Sequence, residues 1–213
     1  MGGVKEYRKM SVPKGKRRQS RFEAQHCFYK LRTEVTNLML QDFGFSPEKY
    51  KKQIEKYREM HRAADNVDEI VARYEKKCES FVKWFIDKEC DTVLEILRNI
   101  ESEFTQGNSI YPSDTPARMI EYVQRRCHMN NAIAQCYVLK QEIHYIIRTL
   151  PVDINKYKRF AEMIDKQIAL YKGVRQSDNR FARKNGKAKM SKEAIAVTDS
   201  IAELISKINI ESE

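Results

Sequence analysis

Apolar residues fall at three- and four-residue steps along most of the chain, the period of helices that bury one face. The clearest case lies between Thr115 and Leu150. Thr115-Pro116 reads as an N-cap followed by a first-turn proline, whose fixed φ and missing N–H suit a helix start. Met119, Ile120, Val123, Cys127, Ile133, Ala134, Tyr137, Ile143, Ile146 and Ile147 form one stripe, with Arg118, Arg125, Arg126 and Lys140 largely off it. Pro151 stops the ladder, so the spacing predicts a rod of about 33 residues, roughly 50 Å long, that must be the spine of a bundle.

Similar signals delimit the other elements. Ser20-Arg21-Phe22-Glu23 matches a capping box, and Phe22, Cys27, Leu31, Val35, Leu38 and Met39 predict a helix from Arg21, closed by a left-handed Gly44. Ser46-Pro47-Glu48 starts a second helix with a thinner stripe of Tyr50, Ile54 and Tyr57, marking it as the more exposed one. Asp65 is the expected cap of a third, either breaking the helix before it or kinking it. The stripe then runs from Val67 through Phe81, Phe85, Val93, Leu97 and Ile100 to Phe104, with Gly107 beyond its end. After Pro151, Asp153 caps a helix buried through Tyr157, Phe160, Ala161, Ile164, Ile168 and Tyr171 and ended by Gly173. Ser191 begins a sixth, amphipathic helix, free to dock on the body or on a partner. The expected organisation is a basic arm over 1–19, a bundle over 20–173, a basic linker over 174–190 and a C-terminal helix over 191–213.

Composition agrees with an all-α fold, an elongated antiparallel bundle of four to five core helices. Seven Gly and five Pro are few for 213 residues, charged residues reach 33%, and no stretch alternates for long with the period of a strand. There is no apolar run of about 18 residues and no secretory signal at the N-terminus, which predicts a cytoplasmic protein. Five scattered cysteines form no CxxC pair and read as reduced thiols.

The net charge of +10 changes the picture because of where it sits. Residues 1–21 carry eight cations against Glu6, and residues 172–192 carry eight against Asp178, leaving the rest of the chain at −4. Concentrated cations point to a polyanion, RNA or DNA, with an ordinary solvated linker as the alternative. The candidate contacts are Lys14, Lys16, Arg17, Arg18 and Arg21 at one end and Lys172, Arg175, Arg180, Arg183, Lys184, Lys187 and Lys189 at the other. Phe181 is the ring expected to stack on a base, and Arg125 and Arg126 are expected to reinforce the surface. Anionic lipid is the weaker alternative, since no tract has the aromatic and leucine face of an interfacial helix.

Enzyme chemistry finds little footing. Glu23-Ala24-Gln25-His26 is a single ExxH where di-iron bundles use two, the Cys and His spacing fits no zinc site, and no phosphate-cradling glycine loop or nucleophile elbow occurs. The expectation is therefore no metal, no cofactor and no catalytic residue.

Three segments carry a family resemblance. Lys16-Arg17-Arg18-Gln19-Ser20-Arg21-Phe22-Glu23, Asp42-Phe43-Gly44, and Thr149-Leu150-Pro151 leading to Gly173-Val174-Arg175-Gln176-Ser177-Asp178-Asn179-Arg180-Phe181 resemble the accessory variability determinant (Avd-like) proteins of diversity-generating retroelements, over roughly residues 16–181. The resemblance implies a basic, non-enzymatic four-helix bundle that assembles as a homo-oligomeric ring, binds a partner reverse transcriptase and engages RNA or DNA. The chain departs from that pattern in its length and its sixth helix, which leaves ring assembly open. The second expectation, from a different class, is a structural or protein-interaction bundle of a mobile element or phage whose basic tails only aid solubility.

Overall fold

The computed structural model describes residues 21–112, 117–182, 199, 200 and 203, and within them the fold is an all-α bundle. Its helices are α1 (Arg21–Met39), α2 (Pro47–Met60), α3 (Val67–Ser109), α4 (Arg118–Thr149), α5 (Lys158–Ser177) and the single turn α6 (Asn179–Ala182). Helix α3 has 43 residues, about 65 Å at 1.5 Å per residue, and outruns the 32-residue α4 packed against it. The pair is antiparallel: Phe85 meets Tyr145 at one end, and His128 meets Glu103 and Arg125 meets Gly107 at the other.

Helices α1, α3, α4 and α5 surround one core. Phe28, Leu31 and Val35 of α1 meet Val93, Leu97, Ile100 and Phe104 of α3, Ala132, Cys136, Leu139 and Ile143 of α4, and Ile164, Ile168 and Tyr171 of α5. Phe104 and Tyr171 stack with ring centroids 4.5 Å apart. Burying a side chain of this size contributes about 1.5–3 kcal/mol, so the stripes, more than intrinsic propensity, hold the rods together. Helix α2 stays outside this core. It buries Ile54 and leans on the first half of α3 through the stacked rings of Tyr57 and Tyr74, 3.8 Å apart, and a 3.1 Å hydrogen bond from the Tyr50 hydroxyl to the Glu75 carbonyl.

The expected start signal holds at Ser46, whose side chain accepts from Lys49 N–H ahead of Pro47; Asp153 accepts from Asn155 N–H but caps a short 3-10 turn, Ile154–Tyr157, and α5 begins only at Lys158. The chain breaks between α2 and α3, with Asn66 rather than Asp65 at the cap position. Ser20, Thr115 and Pro116, together with Ser191 and most of the helix predicted from it, lie outside the described residues.

Several helix boundaries and faces differ from the sequence reading. Phe22 is exposed, and Ala24 and Phe28 take the buried positions on α1. On α4, Met119, Ile120, Ala134 and Tyr137 are exposed, while Tyr122, Arg125, Arg126 and Met129 are buried. Gly173 does not end α5, which continues through the core residue Val174 to Ser177. Gly107 does not lie beyond α3 but within it: a Cβ there would meet Met129 Cε at 2.9 Å and His128 Cβ at 3.2 Å, so the glycine lets α4 approach closely.

Gly44 is left-handed at φ +66°, yet it closes a separate turn and not α1. Asp42 and Phe43 precede it at φ 49° and 53°, a conformation that costs non-glycine residues about 1 kcal/mol or more each. Phe43 is fully buried and its carbonyl accepts from the Tyr157 hydroxyl, which offsets that strain. The turn is clipped to the α4–α5 corner by Ser46 N–H on the Pro151 carbonyl at 3.0 Å and by the Lys49 ammonium on the Val152 carbonyl at 2.8 Å.

Candidate nucleic-acid interface

The basic residues described at the α4–α5–α6 end separate into two layers. Arg125 and Arg126 are neighbours on α4, about 100° apart around its axis, so one turns toward the end of α3 and the other toward α5 and α6. Arg125 is fully buried. Its Nε donates to Asp178 at 2.7 Å, its Nη1 to the Gly107 carbonyl and to the Ile110 carbonyl at 2.9 Å, and its Nη2 to Asn108 at 3.2 Å. One guanidinium thus satisfies carbonyls at the C-terminus of α3, where backbone acceptors lack helical donors, and joins them to the Asp178 carboxylate between α5 and α6. This is a structural clamp, and it corrects the expectation that Arg125 reinforces a phosphate-facing surface.

Arg126 is also buried, and it belongs to a polar cleft rather than to an open face. Its Nε donates to Asp199, and its Nη1 to the Tyr122 hydroxyl at 3.1 Å and Asn179 Oδ1 at 2.9 Å. Arg175, half-buried one turn further along α5, donates through Nη1 to Asn130 Oδ1 at 2.6 Å. Burial and the neighbouring Arg126 charge lower the Arg175 pKa from its ordinary value. The cost of two nearby cations is offset in part by Asp199 and Glu203, whose charges act in the opposite direction.

Phe181 is 6% exposed and meets Tyr111 edge-on at 5.2 Å, so the ring expected to stack on a base is already enclosed. Its backbone carbonyl accepts from Arg118 Nε at 2.9 Å, pinning α6 to the start of α4. The outer layer consists of Arg180, exposed and 4.8 Å from the centre of the Phe181 ring, and Lys172, which hydrogen-bonds Tyr137 at 2.9 Å. Arg21 stands at the first position of α1. Lys14, Lys16, Arg17, Arg18, Arg183, Lys184, Lys187 and Lys189 lie outside the described residues.

Two features escaped the sequence reading. Asn130, Asn179 and Asp199 complete the cleft, and only the polar run Ser177-Asp178-Asn179 hinted that the helix end was built for partners. Near the middle of α3, where the C-terminal end of α4 packs, Phe81 (45% exposed) and Trp84 (55%) flank the buried Phe85, whose ring meets Tyr145 (52% exposed) edge-on at 5.6 Å. The density of aromatics in Phe81-Val82-Lys83-Trp84-Phe85 exceeds what one buried stripe holds, and that excess was the available signal. Beside this patch Glu89 hydrogen-bonds Glu142, and burial first, then that bond and the Glu142 charge, push the Glu89 carboxyl up to about 7.

An apolar groove of about 400 Å³ between α4 and the start of α5 is lined by Ile143, His144, Ile147, Tyr157 and Ala161, among others. The Tyr157 hydroxyl there is committed to the Phe43 carbonyl. Among the described residues no three His, Cys, Asp or Glu side chains gather as a metal site, and no helix is long and apolar enough to cross a membrane. Cys27, Cys78, Cys90 and Cys136 carry free thiols, and burial pushes the Cys136 thiol up to about 12, which disfavours its nucleophilic form. No family model, curated protein or solved structure matches the chain.

Proposed function

We propose that the chain is a non-enzymatic, nucleic-acid-binding helical adaptor that assists a reverse transcriptase with its RNA template and acts as a homo-oligomer. One observation carries the nucleic-acid part. Lys172, Arg175 and Arg180 mark the end of α5 and α6, and the chain runs from them directly into the basic residues 183–192, whereas the charges of residues 22–171 balance to zero. A scaffold of that kind concentrates cations at one end, where they attract a phosphate backbone without reading its sequence. The polymerase partner rests on the resemblance of the segments at 16–23, 42–44, 149–151 and 173–181 to retroelement accessory bundles, and the four-helix core suits that comparison.

The test is RNA binding at several salt concentrations. A log–log slope of about −0.7 per phosphate neutralised is expected. Replacing Lys172, Arg180, Arg183 and Lys184 together by Ala should flatten the slope by roughly three contacts and leave helicity unchanged. Arg175 is left out of that set because its bond to Asn130 ties it to the bundle. Absence of RNA binding at low salt would overturn the reading and favour the second one, a protein-interaction bundle, for which the exposed Phe81, Trp84 and Tyr145 provide the surface. Copurification with the product encoded beside the chain tests the polymerase.

A further inference from the structure

The cleft between Arg126 and Arg175 is built like an anion site and already holds one carboxylate from its own chain, that of Asp199. Two guanidinium groups lie close enough for Arg126 to lower the Arg175 pKa, and Asn130 and Asn179 orient one nitrogen of each. Arg175 Nε is buried and finds no acceptor among the described residues, a donor left unused where unpaired donors are costly. Asp199 donates nothing and accepts from Arg126 Nε, with its own side chain 39% exposed. Asp199 and Glu203 are helical and four residues apart, which places both carboxylates on one face with Cβ atoms about 5–6 Å apart. A guanidinium fork receives carboxylate and phosphate oxygens alike.

The chain path adds a second observation. Residue 181 abuts α4 through the Arg118 bond and residue 199 abuts it through Arg126, so the residues on either side of the basic stretch 183–192 are both anchored at this end of the bundle.

We propose that the Arg126–Arg175 cleft accepts backbone phosphates of a single-stranded nucleic acid, and that Asp199 and Glu203 occupy it in cis, so that binding displaces the chain's own C-terminal carboxylates. The inference rests on the nucleic-acid reading above and adds to it a named site and a competitor. A purely structural ion pair would dock the C-terminal segment equally well but would not compete with RNA, and this difference is measurable.

The test uses the full chain and a short, mixed-sequence, single-stranded RNA, titrated at several salt concentrations. Asp199→Asn/Glu203→Gln should bind about tenfold more tightly than the unaltered chain at low salt, with a slope steeper by about one to two phosphate contacts. Adding Arg175→Gln to that pair should abolish the gain. Glu203→Gln alone leaves the Arg126–Asp199 bond intact and should still give a two- to threefold gain, so a folding defect in the double variant does not decide the outcome; Asp199→Glu, which keeps a carboxylate, should bind like the unaltered chain. If the unaltered chain binds RNA and neither Glu203→Gln nor the double variant changes affinity or slope, the site proposal falls and the nucleic-acid reading stands. If none of the forms binds RNA, both fall.

Discussion

The two ends of the α3–α4 pair are held together by opposite means. At the Gly107–Arg125 end a glycine brings the backbones close, and a buried guanidinium spends its donors on α3 carbonyls, Asn108 and Asp178. At the Phe85–Tyr145 end a cluster of rings makes the contact, Phe81, Trp84 and Tyr145 remain half in solvent, and two carboxyl groups share a hydrogen bond beneath them. Directional hydrogen bonds fix the geometry of the first end to a narrow range, which suits a place where α5, α6 and the basic stretch must be positioned. Aromatic packing at the second end tolerates repacking and leaves an apolar surface available to a partner.

Breaking the polar end should have the largest effect. Arg125→Met leaves Asp178 buried without its guanidinium and several acceptors unsatisfied, and should cost about 3–5 kcal/mol in chemical denaturation. Arg125→Met/Asp178→Leu should recover a substantial part of that loss, because it removes both charges; no recovery would mean that the α3 carbonyls, rather than the ion pair, dominate the clamp.

The second end should betray itself through pH. Glu89 titrates near 7 in the folded chain against an ordinary carboxylate value of 4.5, so the folded state holds the extra proton between those values. The stabilisation is complete below about 4.5 and is lost as pH rises through about 7. Thermal melting should therefore show this end contributing on the order of 1 kcal/mol more at pH 5 than at pH 8, and Glu89→Gln should flatten that dependence. A profile unchanged by the substitution would remove the shared proton from the account.

The smallest effect on folding belongs to the exposed rings. Trp84→Ala should cost less than about 1 kcal/mol, since more than half of the side chain is already in water. Its larger effect is expected on association, read as a change in sedimentation or in copurification of a partner. If stability falls by several kcal/mol instead, the ring belongs to the core and the contrast between the two ends disappears.

The sequence by itself determined the class of fold and most of its punctuation. Apolar steps of three and four, Ser46-Pro47 and Pro151 are local signals, set by backbone geometry within a turn or two, and the helices follow them. It also placed the charge, because composition along a chain does not depend on folding. Which face of α4 is buried, however, was decided by its neighbours. Arg125 and Arg126 read as solvent-facing because a lone guanidinium is costly to bury, and only the convergence of Asp178, Asn179, Asp199 and the end of α3 makes that burial favourable. Gly107 and Gly173 read as helix ends because glycine is a weak helix former; both lie within helices, and at Gly107 the close approach of α4 favours the missing side chain over intrinsic propensity. The partners of a buried charge, and the helix that presses against a glycine, lie tens of residues away in sequence, so a local reading of the chain had no access to them.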